Sequence, residues 1–414
     1  MTASQIASEH DAIRSRVRRG HWRVTALIGV VLLGLTAAVP LDSHPAQSDS
    51  LTAHEWGTFT TIAGTDGSSV QWTPVQLVIG EPELPGFVEH FRSGSYKGTL
   101  RGTVRMETPV IYFYTTNETK VSVHVSFKDG LITEWFPHAS RFQPSAPLAN
   151  DALYGPHEDG SVSWDSVSIV PNLNVKFPSE SASNHYYTAR NTSATPLMVP
   201  GPSINQSETN QHEKFLFYRG ISTVELPLNA MVQQSGSIQF YNRAVDPVPS
   251  LILFERRGDR LGYRILNSVR GSATLDIPSV SGTLDSLRGD LEDILVSQGL
   301  FRDEARAMIE TWGNSWFEEG SRLFYIVPRT FLDSILPLSI TPAPANLVRV
   351  FVGRIELITP ATENSIKSAL AIHDGATLKK YGRFLYPILE ILAARQSDPE
   401  AANRMYEDLS ASYQ

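Results

Sequence analysis

The chain has no cysteine among its 414 residues. Disulfides, thiol catalysis, thiolate metal sites and a lipid-modified cysteine anchor are thereby excluded. The short motifs of several large enzyme classes are missing as well. There is no G-x-x-x-x-G-K-[ST] phosphate loop, no G-x-G-x-x-G turn and no G-x-S-x-G elbow. Three His-Glu pairs begin at His54, His157 and His212, but the positions four residues on hold Thr58, Ser161 and Leu216. A zincin helix needs a second histidine there, so that motif is absent. The charge is unevenly spread. Arg14, Arg16, Arg18, Arg19 and Arg23 against Glu9 and Asp11 give residues 1–39 a net +3, which leaves −11 for the rest of a chain of formal charge −8. A body that acidic repels phosphate backbones, and no nucleic-acid partner is expected. Apolar residues at 41% and charged residues at 19% are ordinary globular values and argue against disorder.

One long apolar run is present. Val24 to Val39 (VTALIGVVLLGLTAAV) is sixteen residues without a charge, preceded by the arginines and ended by Pro40. At ~1.5 Å rise per residue it spans roughly 24 Å, slightly short of the ~30 Å hydrocarbon core. The basic flank is expected to stay in the cytoplasm and to send the acidic body outward. Thr36-Ala37-Ala38 offers the small residues of a signal-peptide cleavage site, whereas the long basic leader suits a retained signal anchor. Both readings stay open. The expectation is export across the cytoplasmic membrane, with the membrane as a partner through residues 24–39 where the leader is kept.

The body divides by pattern. Residues 1–23 form the basic leader, 24–39 the apolar helix and 40–53 a polar linker. Residues 54–278 read as a β-rich domain, mainly antiparallel and sandwich-like. Its clearest runs are Val75–Ile79, Val110–Tyr114, Val121–Phe127, Leu131–Phe136, Ser163–Val170, Phe215–Tyr218, Ser237–Tyr241, Leu251–Glu255 and Gly262–Leu266. Stretches near 137–160 and 178–212 read as long surface loops. Val121, Val123, Val125 and Phe127 alternate with polar residues, Asp129-Gly130 supplies a turn signal, and LITEWF follows. This predicts a hairpin that sets His124 opposite Trp135 or Glu134, according to loop length. From about 279 the period becomes helical at Leu284, Leu287, Leu291, Ile294 and Leu295. Residues 279–360 are expected to form a smaller α/β unit and 361–414 a helical tail. In the strand Val348–Ile358 the apolar parity slips at Gly353, which predicts a bulge.

The segments HEWGTFT at 54–60, RMETPVIYFY at 105–114, ITEWFP at 132–137, EKFLFYRG at 213–220 and ETWGNSWFEEGSRLFYIVPR at 310–329 resemble those of a family of uncharacterised exported bacterial proteins. The similarity runs over roughly 51–358. It implies secretion and a bacterial source, and it carries over no catalytic residue.

Candidate residues follow from chemistry. His54, Glu55 and Trp56 are read either as a ligand or proton-transfer site near a sheet edge, or as a strand start with Trp56 in the core and its neighbours solvated. Glu107 and Glu134 adjoin apolar strands. Paired in a cleft they would suit glycoside hydrolysis; separately, each would bond an arginine such as Arg105 or Arg219. With Glu55 and His124 they are the catalytic candidates. His212, Glu213 and Arg219 flank FLFY and are binding candidates with Trp56 and Trp135, Arg219 as an anion clamp or as a core ion pair. Tryptophans 56, 72, 135, 164, 312 and 316 are core residues or sugar platforms. Glu318-Glu319, at a helix end that disfavours carboxylates, calls for a cation such as Arg322 or Arg329. No cofactor and no metal ligand set is legible. The favoured function is a binding or structural protein of the envelope; the alternatives are a paired-carboxylate hydrolase and a divalent-metal-binding protein.

Overall fold

The eleven residues Thr52–Ile62, which contain HEWGTFT, run through the centre of a nine-stranded sheet in the computed structural model. The structure describes residues 50–64, 66–71, 84–91, 102–143, 159–180, 184–202 and 209–413. The expected apolar helix at 24–39 and the run Val75–Ile79 lie outside these residues. Among the described residues no helix is long and apolar enough to cross a membrane.

The fold is mainly β with a smaller helical C-terminal region, as the residue pattern predicts. In chain order the strands are β1 (Thr52–Ile62), β2 (Glu89–His90), β3 (Val104–Tyr114), β4 (Thr119–Phe127), β5 (Gly130–Phe136) and β6 (Arg141–Gln143). Next come β7 (Gly160–Ile169), β8 (Leu197–Pro200), β9 (Asn210–Glu213), β10 (Phe215–Ser222), β11 (Leu228–Val232) and β12 (Ile238–Asn242). The last are β13 (Val248–Arg257), β14 (Arg260–Val269), β15 (Ser272–Leu275), β16 (Gly320–Ile326), β17 (Leu338–Thr341) and β18 (Asn346–Leu357). The helices are α1 (Leu284–Ser297), α2 (Arg302–Thr311), α3 (Gly313–Trp316), α4 (Arg329–Ile335), α5 (Pro360–Ala371), α6 (Gly375–Lys379), α7 (Leu385–Ala394) and α8 (Pro399–Ala411).

The large sheet has the order β14-β13-β16-β18-β1-β3-β10-β5-β2. Its β1–β18 pair is parallel and the other pairs are antiparallel. A six-stranded sheet (β17-β4-β7-β8-β9, with β6 on β7) and a three-stranded sheet (β11-β12-β15) complete the β structure. One face of the large sheet packs on these smaller sheets through residues such as Phe59, Ile111, Val125, Trp164 and Phe240. The other face packs on α1, α2, α3 and a 3-10 turn at His185–Arg190 through Trp56, Tyr112, Tyr186, Leu287, Met308 and Trp316. The C-terminal helices hold their own cluster, Ile366, Leu378, Phe384, Ile388 and Leu392, to which Ile62 and Ile358 of the sheet region contribute. A strand covered on both faces needs bulk at both parities. That is why β3, β5 and β16, buried along their whole length, read as near-continuous apolar runs.

Four expectations are corrected. The strands β4 and β5 do not form a hairpin, because β4 pairs with β7 and β17 whereas β5 pairs with β10 and β2. The Lys128–Gly130 corner, with Asp129 at φ +46°, passes the chain from one sheet to the other. His124 therefore sits beside Ser163 and Ser339, not beside Trp135 or Glu134. The boundary expected at 278 does not divide the β structure, since β16 and β18 lie inside the large sheet between β13 and β1. The stretch 178–212 is not plain surface loop: it supplies the 3-10 turn, β8 and the buried Tyr186, Leu197 and Val199. Lastly, β18 is not bulged at Gly353, because its register with β1 and with β16 runs unbroken through that residue.

Gly353 has a different reason to be small. A Cβ built there would lie 2.1 Å from Tyr325 Cζ on the neighbouring strand. The glycine is the slot that lets a wholly buried tyrosine ring lie across the sheet. Gly353→Ala is expected to cost about 3 kcal/mol through overpacking, read as a lower urea midpoint; an unchanged midpoint would remove the slot as an explanation.

Candidate functional site

On the helix-covered face, six adjacent strands change character at one level. In β16 the apolar Phe324 gives way to Arg322, and in β18 Val352 gives way to Arg354 and Glu356. In β1 Trp56 is followed on the same face by Thr58 and Thr60. The same change runs from Val110 to Glu107 and Arg105 in β3, from Phe217 to Arg219 in β10, and from Phe136 to Glu134 in β5. A bulge at Thr108, whose φ of +47° is unusual for a β-branched residue, turns Glu107 onto this face despite its odd spacing from Val110. The result is a buried layer of arginines and carboxylates that continues the floor on which the apolar helices rest. The slip of parity at Gly353 was therefore the edge of this layer seen in one strand.

The charges are matched in detail. Glu107, fully buried, accepts hydrogen bonds from both terminal nitrogens of Arg383, one at 2.9 Å, and from Thr60 Oγ1 at 3.0 Å. Arg105 Nε lies 3.1 Å away. Burial alone would raise the Glu107 carboxyl, but Arg383 and Arg105 outweigh it and hold it below the ordinary glutamate value of 4.5. Glu356 bridges Arg322, at 3.0 and 3.1 Å, and Arg354, at 3.1 Å. Burial and the adjacent Arg322 bring the Arg354 guanidinium down to about 10. Arg322 also donates to the carbonyls of Trp316 (2.7 Å), Glu318 (2.8 Å) and Glu319 (2.7 Å). The cation that the Glu318-Glu319 pair demanded is thus Arg322 acting on the helix-end carbonyls. The carboxylates themselves face Arg354 (3.6 Å from Glu318) and Arg257 (3.8 Å from Glu319).

A cleft of about 510 Å³ opens over this layer. Its lining comes from the 3-10 turn (Asn184, His185, Thr188), from the end of α2 and from α3 (Glu310, Thr311, Trp312, Asn314, Ser315), and from Glu318 and Arg383. Ser315 and Arg383 tie the lining directly to the ion layer, because Ser315 accepts from Arg354 at 2.8 and 3.0 Å. Burial raises the Glu318 carboxyl, with Arg354 and Arg322 opposing it. Glu318 Oε2, Trp312 Nε1 and Arg383 Nε are buried polar atoms without a hydrogen-bond partner among the described residues. Natural structures leave few such atoms unpaired.

The sequence-predicted residues do not converge here as a set. His54 and Glu55 are buried, not solvated, and β1 is a central strand, not an edge. Nδ1 of His54 lies 2.8 Å from Glu304, which also accepts from Tyr114 (2.7 Å) and from the Phe301 amide (2.7 Å). Glu55 points to the opposite face, bound by Arg349 and by the Tyr218 hydroxyl, each at 2.5 Å. Glu134 stands opposite Arg219 in register, both are buried, and Glu134 accepts from Thr133 Oγ1. Glu213 is held by Arg190 at 2.6 Å and by Tyr186 at 3.1 Å, while its neighbour His212 is half-buried on β9. His124 bonds Ser163 at 2.9 Å on the six-stranded sheet. Trp56 and Trp135 are core; the Trp135 indole donates to Glu89 at 2.9 Å. Glu55 thus lies apart from Glu107 and Glu134, which flank Arg219 in one buried layer, and Glu107 bonds Arg383 of the cleft lining.

Arg354, Glu356 and Arg383 were not singled out from sequence. The available signal was the pair of charges inside an otherwise apolar strand at 354 and 356. Among the described residues no three histidine or acidic side chains group as a metal ion would require. No protein-family model matches the chain, and a search of curated proteins finds none similar to it.

The ion layer has a testable energetic role. Glu107→Gln leaves two buried guanidinium groups facing a neutral amide and is expected to cost about 3 kcal/mol near neutral pH. Because the folded-state carboxyl titrates below its ordinary value, the stability it contributes is present above pH 4.5 and is lost as pH falls through the lowered value. The gap between wild type and variant in urea unfolding should therefore narrow on acidification below pH 4.5; a gap constant down to pH 3 would contradict it.

Proposed function

We propose that the chain is a binding protein that holds a small polar ligand in the cleft between α2–α3, the 3-10 turn and Arg383, on the outer side of a membrane. The observation that carries the binding reading is that Glu318 Oε2, Trp312 Nε1 and Arg383 Nε, on side chains that line the cleft, are buried without a hydrogen-bond partner among the described residues. Its volume of about 510 Å³ falls within the range of about 300–1,000 Å³ usual for small-molecule sites. A rigid wall is what selective binding needs, since little ordering is left to be done when the ligand arrives. Outward placement rests on the arginine-flanked run at 24–39 and on the resemblance to exported proteins. The hydrolase alternative gains no comparable support, because Glu55 lies on the opposite face, bound by Arg349, and Glu107 is held by Arg383 and Arg105.

Asn314 is exposed on the cleft wall, so Asn314→Trp fills the opening without touching the core. In thermal unfolding against a panel of neutral, anionic and cationic polar compounds, at least one class should stabilise the parent protein and none the variant. A ligand at a hundredfold its Kd adds about 2.7 kcal/mol. Equal stabilisation of both proteins would place binding elsewhere. For placement, a reporter enzyme fused after Gln414 should be active only outside the cytoplasm; activity confined to the interior overturns that part.

A further inference from the structure

Resting on the cleft reading above, we infer that the ligand is a neutral, hydroxyl-rich ring compound, a sugar unit of one or two rings, and not an anion or a cation. The lining offers donors and acceptors side by side. The Trp312 indole N–H and Arg383 Nε only donate, the Glu318 and Glu310 oxygens accept, and Thr188 and Asn314 do both. Vicinal hydroxyls match such a mixed wall, because each can give one hydrogen bond and receive another.

Charge excludes the alternatives. An anion entering the cleft would meet the carboxyl groups of Glu310 and Glu318. The guanidinium that lines the cleft, Arg383, already gives one hydrogen bond from each terminal nitrogen to Glu107, whose carboxylate offsets its charge. Its pull on an anion is therefore weakened. A cation would meet Arg383 at the wall, with Arg354 and Arg322 directly behind the floor. A neutral ligand avoids both penalties and still satisfies Trp312 Nε1 and Glu318 Oε2, which have no hydrogen-bond partner among the described residues, Glu318 Oε2 having only the Arg354 ion contact at 3.6 Å.

Matched sugars isolate the charge. Calorimetric titration of the full chain with neutral hexoses and N-acetylhexosamines, with the corresponding uronic acids and with the free hexosamines varies charge on a constant ring. A neutral member is expected to bind at least tenfold more tightly than its acidic and amino counterparts. Thr188→Val and Glu318→Gln should each weaken it at least fivefold, with unfolding midpoints of both variants measured to show that they are folded. Tightest binding of a uronic acid or of a hexosamine, abolished by Asn314→Trp, overturns the neutral-ligand inference and leaves the cleft reading standing. If no member binds and no compound of the wider panel stabilises the protein, both fall together. Binding that survives Thr188→Val and Glu318→Gln in folded protein also overturns the inference.

Discussion

The arginine–carboxylate layer on the large sheet is the constraint to which the rest of the architecture answers. Removing charges from water is costly unless they are paired and hydrogen-bonded at close range. Glu107 and Glu356 meet this condition by drawing guanidinium groups from different parts of the chain: Arg105 and Arg383 for one, Arg322 and Arg354 for the other. The layer thus fixes where α3 ends, through the carbonyls bound by Arg322, and where the C-terminal helices dock, through Arg383. An apolar floor would have held these elements with similar strength and less angular precision. Directional ion pairs set the cleft walls at defined positions.

The two halves of the helix-covered face divide the labour. The apolar half, built on Trp56, Tyr112, Phe324 and Val350, binds α1 and α2 by burial alone. Even there one polar knot intrudes. The Glu304 carboxylate at the start of α2 gathers His54, Tyr114 and the Phe301 amide, which anchors the helix N-terminus to β1 and β3. An acidic residue is well placed at a helix N-terminus. The same helix delivers Glu310, Thr311 and then Trp312 to the cleft at its other end. The position of the cleft wall is thereby traceable to the HEWGTFT segment.

Much of this was legible as secondary structure and little of it as a site. Alternation in Val121–Phe127 and the helical spacing of Leu284–Leu295 locate elements, because each buries one face. Strands buried on both faces lose that signal, and with it the information about which strands are partners. The Asp129-Gly130 turn signal therefore suggested a hairpin where the chain changes sheets. Glu107 bonds an arginine, as one reading of the sequence held, yet the identity of Arg383 could not be read from a position 276 residues away. The buried state of His54 and Glu55 was missed for the same reason. Their partners Glu304 and Arg349 lie 250 and 294 residues along the chain.

The parallel pairing of β1 with β18 also sets the order of assembly. Thr52 is matched with Asn346 and Ile62 with Glu356, so one edge of the central strand of the large sheet waits for the last strand. A chain synthesised from its N-terminus can pair β1 with β3 early, but the other edge of β1 stays open until roughly three hundred further residues have emerged. During that interval the exposed edge is open to wrong partners, including other copies of itself. Such a topology favours slow, all-at-once closure over stepwise growth, and it makes the protein dependent on whatever shields the nascent chain.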